Sequence, residues 1–187
     1  MINSLENINL DFKKNFHAVF KNPQLVQSFI KKRSDTFDGI IKQEFCRREL
    51  ETDFALVALG GYGRKELFPS SDIDLSIIQF DAKTKKIEDL KDFIGWLWTL
   101  KVKVGHSVRT IKDIENITKS DLKEFTSYLS HRIIYCKKNK VTSLNKDLKE
   151  VQTKWNKTKF FKAKRLEQQL RFQSFDSTEF SLEPDLK

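Results

Sequence analysis

Hydrophobic positions along the chain change their period several times, and each change marks an element. Over residues 4–20, Leu5, Ile8, Phe12, Phe16, Val19 and Phe20 recur near helical spacing. A second helix is predicted over residues 23–51, with Pro23 in its first turn and Val26, Phe29, Ile30, Phe37, Ile40, Ile41 and Phe45 apolar. Residues 54–59 (FALVAL) are then apolar at every position, the mark of a strand buried on both faces. Residues 72–78 (DIDLSII) alternate polar and apolar for most of their length, as a half-buried strand does. Residues 85–100 return to helical spacing, with Ile87, Leu90, Phe93, Ile94, Leu97 and Trp98 apolar. Residues 101–110 read as a third strand interrupted at Gly105. The rest reads as helices, one marked by Phe125, Tyr128, Leu129, Ile133 and Ile134 and another by Phe160, Phe161, Leu166 and Leu170.

This order predicts an α+β (α/β-like) fold: a small mixed sheet flanked by helices, with N-terminal and C-terminal helical segments. The expected division is a helical segment over 1–51, a core over 52–137 and a helical extension over 138–187. Trp96 and Trp98 lie two apart on one helix and cannot share a face, so one is expected in the core and the other at a groove.

Composition narrows the class. The chain has 187 residues, enough for one domain with a real core. Its 35 Lys+Arg against 26 Asp+Glu give a net charge of +9, which suggests an anionic partner such as a nucleotide, a nucleic acid or an acidic protein surface. Two cysteines cannot build a disulfide framework. No apolar run is long enough to span a bilayer, and the first residues do not read as a secretory signal. A cytoplasmic protein without membrane contact is expected. The lysine runs at 83–86 and 137–140 read as solvated faces or loops.

The chemistry concentrates in residues 60–75, GGYGRKELFPSSDIDL. Asp72 and Asp74 are two apart on a predicted strand, so both carboxylates fall on one face, roughly 6–7 Å apart. A divalent cation relieves their repulsion, and paired hard oxygen ligands suit Mg²⁺. Just upstream, Gly60, Gly61 and Gly63 free the backbone to approach a ligand, and successive amides in such a turn form a nest for anions. Arg64 follows with a fork suited to phosphate oxygens. A phosphate cradle thus adjoins a metal site, without a P-loop sequence.

This block resembles the signature of the nucleotidyltransferase superfamily, a Gly-Gly or Gly-Ser pair followed by Asp-x-Asp. More narrowly it is similar to the N-terminal domain of bacterial PII uridylyltransferases. The segments WTLKVKVGHSVRT (98–110), SDLKEFTSYLSHR (120–132) and AKRLEQQLRFQSFDSTEFSLEPDLK (163–187) extend the resemblance over roughly residues 50–187. It implies that Gly60, Gly61, Arg64 and Ser71 bind the nucleotide and that Asp72 and Asp74 hold Mg²⁺. The implied reaction moves UMP from UTP to a tyrosine of the PII signal protein and releases pyrophosphate.

Some positions depart from the pattern. Nucleotidyltransferases usually bring a third carboxylate from a later strand. Some members have an acid where Lys103 stands here, and Asp121 in the next helix is the candidate replacement. Asp74, Asp121 and bound water all remain open as general base. His106 and Arg109 belong to the same matching segment; either a structural role or a place near the site fits them. Full family members continue into a hydrolase domain and glutamine-sensing domains, and the chain reads as ending before them. His17, His106 and His131 have no metal-ligand spacing. Three alternatives stand beside protein nucleotidylylation. One is transfer to a nucleic-acid 3′ end, which the downstream segments do not favour, another is a nucleotide-binding module without activity, and the last is a basic helical scaffold with an accidental motif.

Overall fold

A computed structural model describes residues 21–174 apart from 82, 154 and 156. The helix expected over 4–20 and the segment 181–187 lie outside the described residues. In chain order the elements are α1 (Pro23–Arg47), a 3₁₀ turn (Leu50–Thr52), β1 (Phe54–Ala58), α2 (Gly60–Gly63), β2 (Ile73–Gln79), α3 (Ile87–Leu97), β3 (Val104–Arg109), α4 (Ile111–Ser120), α5 (Leu122–Leu129), β4 (Arg132–Tyr135), α6 (Lys138–Thr153) and α7 (Lys157–Ser174).

Local signals explain most boundaries. The Asn22 side chain accepts from the Gln24 amide at 3.0 Å, and Pro23 occupies the first turn, so α1 starts where its orphan donors are met. It stops earlier than the apolar pattern predicts, because Glu49 turns left-handed at φ 54°. Thr110 and Asp113 form a capping box at the head of α4, and Asp121 caps α5.

The four strands form one mixed sheet in the order β3-β2-β1-β4. β1 runs antiparallel to both β2 and β4, while β2 and β3 are parallel, joined by the α3 crossover. The α+β class with a small mixed sheet is therefore as expected. β1 is buried along its whole length because helices cover both faces. Phe54, Leu56 and Ala58 join Ile73, Leu75 and Ile77 against Phe37, Ile41 and Phe45 of α1 and Phe93 of α3. Ala55, Val57 and Ile78 pack on the opposite side against Ile114, Tyr128, Leu144 and Leu148.

Two elements differ from the sequence expectation. Ile133 and Ile134, assigned to a helix, lie in β4 instead. The helix ends at Leu129, and the β-branched and aromatic run RIIY suits a sheet edge better than a helix. Gly105 does not interrupt the third strand, which runs through it in register with Asp74. Of the two tryptophans, Trp96 stacks on Phe93 against the core, and Trp98 is 64% exposed beside the His106 ring. Phe160 packs on Phe125 and Trp155, whereas Phe161 of the same helix is exposed.

Candidate active site

The antiparallel pairing of β1 and β2 determines where the chemistry lies. Ala58 faces Leu75 across the pair, and the Leu59 amide donates to the Asp74 carbonyl at 2.9 Å. The C-terminal end of β1, which launches the Gly-rich turn, is thereby held beside the N-terminal end of β2, which carries the aspartates. Gly60 makes the turn at φ 54°, a conformation that other residues rarely adopt. The expected loop is a single helical turn, α2: Gly63 N–H donates to Leu59 O at 2.8 Å and Arg64 N–H to Gly60 O at 3.2 Å. Such a turn leaves its first amides, those of Gly60, Gly61 and Tyr62, without intrahelical acceptors.

Asp74 sits between two glycines. A Cβ on Gly60 would lie 3.7 Å from Asp74 Oδ2, and a Cβ on Gly105 only 2.8 Å from Oδ1. The glycines of the turn and of β3 thus bound the space occupied by the carboxylate. Asp72 is half-buried just ahead of β2, and Asp74 is exposed. Among the described residues no group of three or more His, Cys, Asp or Glu is placed to hold a metal ion. A half-buried and an exposed carboxylate two residues apart suit Mg²⁺, which commonly takes one or two carboxylates and completes its shell with phosphate oxygens and water. A closed zinc cage is not built from such a set.

The turn is clamped from behind by residues whose role the sequence pattern did not reveal. Arg132 of β4 donates through both Nη atoms to Asp38 of α1, at 2.6 and 3.1 Å. The same guanidinium donates to the carbonyls of Tyr62 and Gly63, both at 3.2 Å. Tyr62 donates its hydroxyl to Asp38 at 2.7 Å. Burial, followed by the Asp38 charge, pushes the Tyr62 phenol well above the usual tyrosine range. At Gly63 the chains touch: a Cβ there would fall 1.7 Å from the Ser130 carbonyl oxygen. Buried Arg33 of α1 donates to the Pro69 carbonyl at 3.2 Å and so anchors the loop leading to Asp72. Its guanidinium is held down to about 10 by desolvation.

The other expected residues fall as follows. Arg64 borders the turn, its Nη2 3.9 Å from a Cβ built on Gly61, and it donates to Glu66 at 2.7 Å and to Ser130 at 3.3 Å. Ser71 is half-buried in the turn before Asp72, its amide donating to Phe68 O. Asp121 accepts from the amides of Lys123 and Glu124 through Oδ1, so that oxygen serves the α5 cap. His106 pairs with Leu75, one register step from Asp74, and therefore lies on the opposite face of the sheet. Arg109 makes a bidentate pair with Glu124 at 2.7 and 2.9 Å, which raises its pKa and ties β3 to α5. Among the described residues no helix is long and apolar enough to cross a membrane.

Comparison with known proteins agrees with this geometry. Residues 39–186 match the family described as nucleotidyltransferase domain. The bifunctional uridylyltransferase/uridylyl-removing enzyme of Haemophilus influenzae (strain PittEE) is 36% identical over 161 residues, 84% of this chain and 18% of that protein. Proteins of the same name from Methylococcus capsulatus and Pseudoalteromonas translucida are 32% and 34% identical over 90% and 94% of this chain. The chain spans about a fifth of the length of these relatives. With the matched region running from within α1 past the end of α7, and with the turn and the aspartates inside it, the chain belongs to the nucleotidyltransferase family.

Proposed function

We propose that this chain transfers UMP from UTP to a tyrosine hydroxyl of a PII-type signal protein in the cytoplasm, with release of pyrophosphate. The reading rests on one observation above all: the Asp74 carboxylate lies between Gly60 of the turn and Gly105 of β3, so a phosphate cradle and a carboxylate pair share one end of the sheet. The names of the relatives supply the uridylyl group.

The roles follow from the side chains. The amides of Gly60, Gly61 and Tyr62 point orphan donors at the phosphates. Arg64 adds a cationic edge to the same turn and exchanges its contact with Glu66 for a phosphate oxygen. Asp72 and Asp74 hold Mg²⁺, and Ser71 lines the approach to Asp72. Bound there, Mg²⁺ would supply Lewis-acid polarisation of the α-phosphate. The Arg132–Asp38–Tyr62 clamp keeps the turn from shifting under the charge of the nucleotide, because positioning carries much of the rate in such transfers. Asp121 keeps Oδ2 outside its described cap contacts and is the acid we assign to the acceptor side.

The test is intact-mass spectrometry of a PII protein incubated with this chain, Mg²⁺ and UTP. ATP and the Asp72→Asn/Asp74→Asn variant run alongside. A UMP adduct that requires UTP and both aspartates is the expected result. Nucleotide binding without any adduct would refute transfer by these 187 residues and leave a binding module.

A further inference from the structure

The sheet register places a cation beside the carboxylate pair. Ile73 pairs with Val104 and Asp74 with Gly105, and the Ile73 amide donates to the Lys103 carbonyl at 2.8 Å. Lys103 immediately precedes β3 as Asp72 immediately precedes β2, so the two stand at the same end of the parallel pair. The Gly105 position faces Asp74, since a Cβ there would meet its carboxylate. Lys103 lies two residues before Gly105, the spacing that returns a side chain to the same face of a strand. Neighbouring strands lie about 4.8 Å apart, so the ammonium on its four-carbon stem reaches the space over both aspartates. Lys103 is exposed and makes no ion pair among the described residues.

Two further facts give that charge a task. No third acid joins the carboxylate pair among the described residues, so these side chains suit one divalent ion rather than two. A nucleoside triphosphate carries more negative charge than one divalent ion neutralises.

We propose that Lys103 is a ligand for the β- and γ-phosphates of the nucleotide, standing where a second metal ion would otherwise be needed. The proposal rests on the nucleotidyl-transfer reading. As the acceptor tyrosine oxygen bonds to the α-phosphorus and its proton passes to solvent, the bond from the α-phosphorus to the bridging oxygen breaks and its electron pair leaves with pyrophosphate. The Lys103 ammonium stays protonated and offsets that charge.

Calorimetry with UTP and with UMP, both in Mg²⁺, compares the unaltered chain with Lys103→Met and Lys103→Gln. Because Lys103 is exposed, both variants should keep the native circular-dichroism spectrum. The expected result is a loss of about tenfold or more in UTP affinity, the size of one charge-assisted contact, with UMP affinity unchanged. In a second measurement without nucleotide, Lys103→Glu should bind Mn²⁺ several-fold more tightly by electron paramagnetic resonance. Equal losses for UMP and UTP, or no loss for either, would overturn the role of Lys103 and spare the nucleotide site. Mn²⁺ affinity unchanged in Lys103→Glu would overturn the placement of Lys103 beside the pair. Failure of the unaltered chain to bind UTP at all would overturn both the role of Lys103 and the transfer reading beneath it.

Discussion

Alanine at Gly105 should separate activity from stability. The new methyl would stand 2.8 Å from Asp74 Oδ1, with the Ile73 carbonyl oxygen next at 3.9 Å. An unstrained carbon–oxygen contact needs roughly 0.6 Å more, on the scale of ordinary van der Waals separations. The group that must yield is the tip of an exposed side chain, so the fold barely resists. Gly105 has no positive φ, and exchanging glycine for alanine in such a strand position stabilises by about 0.4–1 kcal/mol through the unfolded chain. Catalytic groups, in contrast, tolerate only about 0.5 Å of displacement, and about 1 Å can cost roughly a hundredfold in rate. Gly105→Ala should therefore keep its melting temperature or raise it slightly while transfer and Mg²⁺-dependent nucleotide binding fall by about ten- to a hundredfold. Gly63→Ala is the counterpart. Its methyl would overlap the Ser130 carbonyl at 1.7 Å, with the Ala58 carbonyl at 3.0 Å, so backbone on two sides must move. Overpacking of that kind costs about 1–3 kcal/mol or more, about 2–10 °C in melting temperature for a chain of this size. Differential scanning fluorimetry and a UTP-binding titration on the two variants decide the matter. Full nucleotide binding in Gly105→Ala, or a melting temperature as low as that of Gly63→Ala, would refute the placement of Asp74 between the glycines.

The clamp and the tyrosines give two further expectations. Asp38→Asn removes the charge that holds both Arg132 and Tyr62, and urea unfolding should show a loss of about 1–3 kcal/mol; Arg132→Lys should not restore stability lost at this site, because an ammonium cannot span Asp38 and two carbonyls as the fork does. All three tyrosines of the chain, Tyr62, Tyr128 and Tyr135, have raised pKa values, the first two chiefly through burial and Tyr135 chiefly through the Cys46 thiolate. The folded chain then holds protons that the unfolded chain releases near pH 10, so stability is complete below that pH and falls as pH rises beyond it. Ultraviolet difference titration should show all three tyrosines ionising at higher pH in the native protein than in the unfolded chain; a normal titration of even one tyrosine in the native protein would contradict this.

What could be read from the sequence follows a physical division. The strand at 54–59, the alternation at 72–78 and the helix at 85–100 carry their own periodicity, and the structure places elements at each with shifted ends. The juxtaposition of turn and aspartates was likewise legible, because sixteen consecutive residues hold both. β4 was not, because four residues cannot establish a period and their neighbours are helical. The partners of the clamp come from α1, α2 and β4, and no local pattern links Asp38 to Arg132. At Asp121 a cap role was legible in the sequence and went unread. An acid placed ahead of LKEF has a cap to make, and the Asp-x-x-Glu spacing to Glu124 was the available signal for that role.

The separations along the chain also bear on the order of assembly. The Gly-rich turn and the aspartates are neighbours through a hairpin whose strands are joined by fourteen residues, 59–72, so little loop entropy is spent in bringing them together. The clamp behind them joins Arg132 to Asp38 across 94 positions, and to the carbonyls of Tyr62 and Gly63 across 70 and 69. Contacts of such range form late, and in a chain made from its N-terminus Asp38 must wait for Arg132 to be synthesised. The Gly-rich turn is therefore shaped early by local pairing and made rigid last, when β4 docks. Until β4 docks, the nascent chain holds the turn and the aspartates side by side without the stiffness that the proposed transfer requires.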